Sequence, residues 1–410
     1  MICQRCFYTT DHPLGLTIDN EGICSGCRIH EEKDQIDWQA KWRRLEEIVK
    51  PYRSIDRRNY DCIVPVTGGN DSYFIVHLVK NVLKLNPLLV SYNSYFNTPL
   101  GIRNLSNMRI KFNCDIIIQN VNPISLKKIT RTTLRRFGSI YWSVIAGKTV
   151  FPVQTAVRYK IPLIIWGAHQ GLEQVGMFSH FHEVEMTRRY RKDHDLMGYE
   201  AEDLLSVDDV LTEEDVWQYK YPDDFTLNQI GVRGIYLGNY KRWDPKSQHE
   251  KMIKEYGYKT SSFSRSFDCY DYVHCYNYMG LHDLLKLYKH GYSKVTDHVV
   301  REIRHRRLNR KDGLKLVMKY EQGRLLYPEL FCKWLGITNN GLQFLMDQHR
   351  NQKYWHSEKP GSWRLKKTEH LNNNINQSSA ESKDKINFIC NSNLDNNENP
   401  AYIVIGKGYP

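Results

Sequence analysis

The sequence contains no apolar run of the roughly 18 residues that a membrane-spanning helix requires. It shows no repeat of fixed period, so a solenoid or a propeller is not indicated. Residues 1–6 also lack the apolar core of a secretory signal peptide. From these absences we expect a protein without a membrane span that works in the cytoplasm.

The composition is that of an ordinary globular protein, with 41% hydrophobic and 25% charged residues. The 410 residues leave room for about two or three domains. Lysine and arginine number 58 and aspartate and glutamate 46, which gives a net charge of +12. This balance favours anionic partners such as phosphates, nucleotide-linked substrates, nucleic acid or acidic lipid, without choosing among them.

The cysteines are unevenly placed. Four of the ten fall in the first 27 residues as two Cys-x-x-Cys pairs, formed by Cys3, Cys6, Cys24 and Cys27. Two such pairs supply the four thiolates of a tetrahedral zinc site. Two disulfides or free thiols are the alternatives, and a cytoplasmic location disfavours disulfides. We therefore predict a Zn²⁺ ion with a structural role, because four thiolates leave no coordination position open for a substrate.

Strands and helices alternate through the first half of the chain. Short apolar runs predict strands over residues 62–66, 88–92, 115–119 and 162–166. Helical patterns predict helices over residues 75–82, 100–112, 125–137 and 149–159. This order is typical of an α/β fold with a doubly wound parallel sheet. After residue 170 the alternation fades, and we expect a mainly helical region with a helix beginning at about residue 213.

These patterns divide the chain into five parts. We predict a zinc module over 1–30, a connecting helix over 31–58, an α/β core over 59–180, a mainly helical substrate or partner region over 181–365, and a tail over 366–410. The tail is rich in asparagine and poor in apolar residues, so we expect it to be disordered.

A glycine loop lies between the first predicted strand and its helix. The loop consists of Thr67, Gly68, Gly69, Asn70, Asp71 and Ser72. Its glycines let the backbone approach an anion, Ser72 can donate a hydrogen bond to phosphate, and Asp71 can hold a Mg²⁺ ion. The pattern is neither a Walker A loop nor a dinucleotide-binding motif. An ordinary turn is the alternative interpretation.

Three further residues are candidates for the same site. Ser91 ends the second strand and Gly167 follows the strand over 162–166, so both belong to the carboxyl edge of the sheet, where ligands bind in open α/β folds. For Ser91, ordinary loop polarity is an equally good explanation. His298 is a candidate for proton transfer, although a buried, hydrogen-bonded histidine is the commoner case. The basic stretch over 301–311 is most simply a solvated helix face.

The glycine loop resembles the Ser-Gly-Gly-x-Asp-Ser loop of the PP-loop, or N-type, ATP pyrophosphatases. More closely, the chain is similar to the N-acetyl sugar amidotransferases of bacterial surface-glycan biosynthesis over about residues 1–330. The matching blocks are the two cysteine pairs and residues 59–66, 97–101, 141–147, 162–167, 183–188 and 296–298. Many blocks agree in order, so the likeness is more specific than a single motif.

The resemblance implies a HUP-like PP-loop fold and an ATP-dependent reaction in the synthesis of lipopolysaccharide O-antigen or another surface glycan. An acetamido group of a sugar or nucleotide sugar would become an acetamidino group, through an O-adenylated imidate that ammonia attacks. A separate glutaminase subunit would supply the ammonia. ATP, Mg²⁺ and structural Zn²⁺ are the implied cofactors. Residues 67–72, Ser91 and Gly167 would bind ATP, while Asp71, Ser72 and His298 would serve the chemistry.

The loop departs from the family pattern at two positions. Threonine replaces the usual serine at residue 67 and keeps the hydroxyl. Asparagine replaces a frequent lysine at residue 70 and removes a positive charge that could meet a phosphate.

Two other functions use the same features. A PP-loop enzyme that modifies tRNA, either a thiolase or a lysidine-type ligase, would also need ATP, zinc and a basic surface. Five residues separate Cys269 from Cys275, which fits a thiolase poorly, so nucleic acid is the less favoured partner. A zinc-ribbon binding protein with an inactive loop would bind zinc without turning over ATP.

Overall fold

The computed structural model describes residues 1–366 and 386–392, apart from residues 55, 57, 95, 276–277, 322–324, 326–327 and 360. In this part of the chain, five strands form a parallel sheet in the order β3-β2-β1-β4-β5, and β6 and β7 form an antiparallel hairpin. The strands are β1 Cys62–Pro65, β2 Pro87–Tyr92, β3 Ile116–Gln119, β4 Leu163–Trp166, β5 Arg233–Tyr236, β6 Trp355–Lys359 and β7 Ser362–Leu365.

The helices surround this sheet and fill the C-terminal half. They are α1 Ser25–Glu32, α2 Trp38–Val49, α3 Asn70–Val76, α4 Pro99–Phe112, α5 Pro123–Phe137, α6 Trp142–Tyr159, α7 Gln170–Glu173, α8 Arg188–Tyr190, α9 Ala201–Val207, α10 Glu213–Val216, α11 Asp224–Ile230, α12 Pro245–Tyr256, α13 Met279–His290, α14 Lys294–Arg304, α15 Arg310–Tyr320, α16 Pro328–Leu335 and α17 Asn339–Gln348. A π-helical segment, His77–Val82, continues α3, and another, Arg191–Asp195, continues α8.

The sheet is buried on both faces, as the continuous apolar runs of its strands require. On one face Val64 and Leu89 pack with side chains of α2 and α3. On the other face Ile63 and Leu88 pack against α6. The prediction of an α/β fold with a parallel sheet is therefore confirmed.

Four strands and most of the predicted helices lie where the sequence places them. Helix α6 begins at Trp142, earlier than predicted, and Thr212 caps α10 with a reciprocal capping box to Asp215. The basic stretch after residue 301 is two helices rather than one, because the chain turns at Arg306, whose φ is +59°.

Strand β5 was not predicted, since we expected helices after residue 170. It has only four residues, with arginine and glycine at its start, and therefore gives little apolar signal. It pairs along its length with β4. On its other side, Glu185 forms an antiparallel bridge to Ile235, which covers part of the sheet edge.

Most of the predicted tail lies outside the described residues. Within it, the segment 386–392 packs against residues 258–270, whereas the sequence predicts disorder there. Ile389 N–H donates to the hydroxyl of Tyr270, and the Asn391 amide donates to the carbonyl of Tyr258. Backbone polar groups thus find partners that composition does not reveal. In the described part of the chain, no helix combines the length and apolarity needed to cross a bilayer.

Candidate functional site

The four N-terminal cysteines converge. Their sulfur atoms are all buried and lie within 4.8 Å of one another, and the sulfurs of Cys6 and Cys24 are 3.6 Å apart. Backbone N–H groups of Cys6 and Cys24 donate to the sulfur of Cys3, a pattern that stabilises thiolate ligands. This donor set is compatible with a structural zinc site.

The cysteine cluster is packed into the body of the protein. Its hydrophobic surroundings include Phe7, Val299 and Leu314, which belong to the N-terminal module, α14 and α15. Arg304 of α14 donates to the carbonyls of Glu173 and Gln174 and lies 3.7 Å from the sulfur of Cys24. The module is therefore held against helices that are almost 300 residues away in sequence.

The glycine loop is shaped by its own hydroxyl groups. The backbone N–H of Thr67 donates to Ser72 Oγ at 2.9 Å, and the backbone N–H of Gly69 donates to Thr67 Oγ1 at 3.1 Å. Both hydroxyl-bearing residues thus have structural partners within the loop. The threonine at residue 67 therefore supplies the hydroxyl that a serine would offer at this position.

His249 of α12 forms hydrogen bonds with two residues of the glycine loop, Asn70 and Asp71. The Asn70 amide donates to His249 Nδ1 at 3.3 Å, so the ring proton lies on Nε2, which donates to Asp71 Oδ1 at 2.9 Å. Asn70 and His249 are buried, while the Asp71 side chain remains 48% exposed. Asp71 is thereby oriented with a carboxylate oxygen still open to solvent.

The two glycines of the loop lie so close to neighbouring atoms that a Cβ at either position would clash. A Cβ on Gly68 would lie 2.0 Å from the carbonyl oxygen of Gly101, and a Cβ on Gly69 would lie 2.7 Å from His274 Nδ1. His274 is fixed in turn by Thr98, whose backbone N–H donates to the His274 carbonyl and whose hydroxyl donates to the carbonyl of Val273. At Gly68 the opposing atoms are backbone atoms of Gly101, which cannot rotate away, so glycine is required there; at Gly69 the opposing atoms belong to the side chains of His274 and Thr67.

A cavity of about 270 Å³ opens beside the loop at the carboxyl ends of β1 and β2. Isoleucine and leucine side chains of α4 and β3 form one wall, and serine and asparagine side chains following β2 form another. Among the described residues, the lining includes two cations, Arg109 and Lys148, and no carboxylate. Such a lining suits a ligand that carries both an anionic and an apolar group.

The structure places some of the predicted site residues in the cavity lining and others outside it. Thr67, Gly68 and Ser91 line the cavity, and Gly69, Asn70, Asp71 and Ser72 belong to the same loop without lining it. Gly167 instead packs between Ile75 and Trp243, outside the lining.

His298 also lies outside the cavity lining. It is buried in α14, where its Nδ1 lies 2.6 Å from Ser266 Oγ and its Nε2 2.9 Å from Asp271 Oδ2. Asp271 also faces Lys294 at 3.7 Å. The histidine is thus part of a buried polar network.

The basic stretch after residue 301 is only partly solvated, which corrects the interpretation as a solvated helix face: Arg304 is buried, whereas Arg306 is exposed. Arg301 forms ion pairs with Asp268 and Glu302, and Arg307 binds Asp244 through two nitrogens. The periodicity of a helix does not show which of its cations have buried partners.

Comparisons with known proteins relate the C-terminal part of the chain to a described family. Residues 246–369 match the model of the LPS biosynthesis protein WbpG-like, C-terminal domain. This matched region contributes His249 and His274 to the glycine loop. A stretch of 120 residues is 27% identical to the uncharacterized protein MJ1599 of Methanocaldococcus jannaschii. The match covers 29% of this chain and 43% of that protein, so less than half of the relative is represented.

Three residues near the loop were missed by sequence analysis, namely Lys148, His249 and His274. They come from α6, α12 and the segment before α13, and no local spacing links them to the loop. Lys148 directly follows Gly147, where a Cβ would lie 2.3 Å from the ring of Tyr92, so α6 closely approaches the end of β2. A glycine-lysine pair within an apolar helix was the available signal.

Proposed function

We propose that the chain is an ATP-dependent amidotransferase of surface-glycan biosynthesis that converts an acetamido group of a sugar into an acetamidino group. The observation that carries this proposal is the cavity of about 270 Å³ beside the glycine loop, whose described lining residues include cations but no carboxylate. The match of residues 246–369 to an LPS biosynthesis family supports the biological setting, and the ordered blocks of the sequence support the reaction.

In this proposal the glycine loop is a PP-loop that binds the phosphates of ATP, and the wall that includes Ile102 and Ile118 receives the adenine. The open carboxylate oxygen of Asp71 supplies a hard ligand for Mg²⁺, which would neutralise phosphate charge. His249 holds that carboxylate in place. Because the glycines of the loop carry no side chains, their backbone N–H groups can approach the phosphates closely.

The proposed chemistry solves the problem that an amide oxygen is a poor leaving group. The acetamide oxygen attacks the α-phosphate of ATP, the bond to pyrophosphate breaks, and an O-adenylated imidate forms. Ammonia then adds to the imidate carbon and AMP leaves with the former acetamide oxygen. The protein has to stabilise phosphate charge and keep water from the imidate. A partner glutaminase is the proposed source of ammonia.

The experiment is a mass-spectrometric assay with ATP, Mg²⁺, ammonium and a panel of free and nucleotide-linked acetamido sugars. The wild type should yield AMP together with a product in which an imino group has replaced the acetamide oxygen. Asp71→Asn should lose both products, because it removes the charge while keeping the shape. The exposed Asp209→Asn is the matched control and should retain them.

Three outcomes would contradict the proposal. If no sugar yields AMP or amidine, the inactive binding protein becomes the better account. If AMP forms only with added tRNA, a tRNA-modifying enzyme becomes the better account. If Asp71→Asn retains full activity, the glycine loop is not the ATP site.

A further inference from the structure

Lys148 is a cation in the cavity that has no anionic partner among the residues the structure describes. Its Nζ lies 3.1 Å from the Tyr141 hydroxyl and 3.3 Å from His274 Nε2, and it forms no ion pair with a carboxylate in the described residues. The side chain lines the cavity together with Thr67 and Gly68. Helix α6 thus places the Lys148 ammonium group beside the glycine loop.

The groups around Lys148 do not compensate its charge. Burial lowers the pKa of Lys148, and Cys275 and Asp271 oppose this with smaller effects that raise it. Burial raises the pKa of the Cys275 thiol, which keeps it neutral, and it lies 3.2 Å from the Tyr141 hydroxyl. Asp271 is engaged by His298 and Lys294. A half-buried ammonium with neutral partners is costly until an anion joins it.

Asn70 cannot provide this charge. It occupies the position at which the resembled loop often has lysine, and its amide is buried against His249 rather than directed to the cavity. Lys148, which belongs to α6, therefore places a positive charge beside the glycine loop. Because an ammonium group can only donate, a neutral His274 ring accepts from Lys148 through Nε2 and carries its proton on Nδ1.

We infer that Lys148 binds a phosphate group of the ligand in the cavity, in place of the lysine that the glycine loop lacks. The inference rests on the proposed function for the identity of the ligand as ATP, but the chemistry that Lys148 recognises is that of phosphate. Tyr141 and His274 position its ammonium group.

The test measures the Kd of the full chain for two probes, ATP with Mg²⁺ and inorganic pyrophosphate, by calorimetry. Lys148→Met removes the charge and keeps much of the length, and Lys148→Arg retains a charge. Lys111→Met, an exposed lysine of α4, is the matched control. Urea unfolding of each variant verifies that it is folded.

We expect Lys148→Met to raise both Kd values by about tenfold or more, since charge-assisted bonds to phosphate are strong. Lys148→Arg should lose less than Lys148→Met, and Lys111→Met should match the wild type. If folded Lys148→Met binds both probes like the wild type, the inference is wrong even when amidine is formed. If the wild type binds neither probe, the inference fails together with the ATP site. If Lys148-dependent binding of pyrophosphate persists without amidine formation, the inference stands and the proposed reaction falls.

Discussion

Gly68→Ala probes the close contact on which the shape of the glycine loop depends. The added Cβ would lie 2.0 Å from the carbonyl oxygen of Gly101 and 2.7 Å from its carbonyl carbon. Ordinary contacts of this kind are about 3.4 Å or longer, so the loop or the start of α4 has to move by more than about 1 Å. Gly101 cannot yield easily, because a Cβ there would lie 2.3 Å from the Cα of His274.

Overpacking of this kind costs about 1–3 kcal/mol of unfolding free energy, and we expect Gly68→Ala to fall in that range. Displacement of the loop should also weaken binding of ATP with Mg²⁺, because the cavity wall moves. Urea unfolding and calorimetric titration measure the two effects. Gly238→Ala is the matched control, since its Cβ would lie 3.4 Å from the nearest atom, an ordinary contact. Equal stability and equal affinity in the two variants would refute the steric argument.

Three further predictions concern other parts of the molecule. Elemental analysis should find about one zinc per chain in the wild type and in Cys390→Ser but much less in Cys24→Ser, and equal zinc in both variants would contradict the cluster. Burial raises the pKa of Asp195 to about 7, so the folded state retains a proton that the unfolded state has lost, and stability should fall as pH rises from about 4 to 7. Asp195→Asn should therefore increase the unfolding free energy at about pH 8, by up to about 4 kcal/mol, and have little effect near pH 4; an effect independent of pH would disprove this. Asn391→Ala removes side-chain hydrogen bonds to Tyr258 and Thr260 and should cost about 1–2 kcal/mol in urea unfolding, whereas the exposed Asn387→Ala should cost little, and equal losses would count against docking of this segment.

The parallel sheet was predictable because its strands are continuous apolar runs separated by helical patterns. The residues 62–66 and 88–92 are short apolar runs bounded by turn and helix signals, which favours buried strands. Strand β5 escaped prediction because arginine and glycine occupy half of its four positions. It is a strand because it pairs with β4, and such tertiary pairing overrides a weak local preference.

The position of the glycine loop followed from sequence, but its surroundings did not. Asp71 meets His249 across 178 residues, and Lys148 meets His274 across 126. No spacing rule connects residues so far apart. Sequence also could not show that Asn70 faces inward, because that orientation depends on the helix that carries His249. The same limit applies to the arginines after residue 301, whose acidic partners lie on other segments.

The central claim is that the acetamide oxygen is activated by ATP at the glycine loop, and isotope transfer tests it most directly. A sugar substrate carrying oxygen-18 in its acetamido group would be incubated with the wild type, ATP, Mg²⁺ and ammonium. The account predicts that AMP acquires the label in step with amidine formation, while pyrophosphate stays unlabelled. Amidine formed with unlabelled AMP, or label released into water, would contradict it.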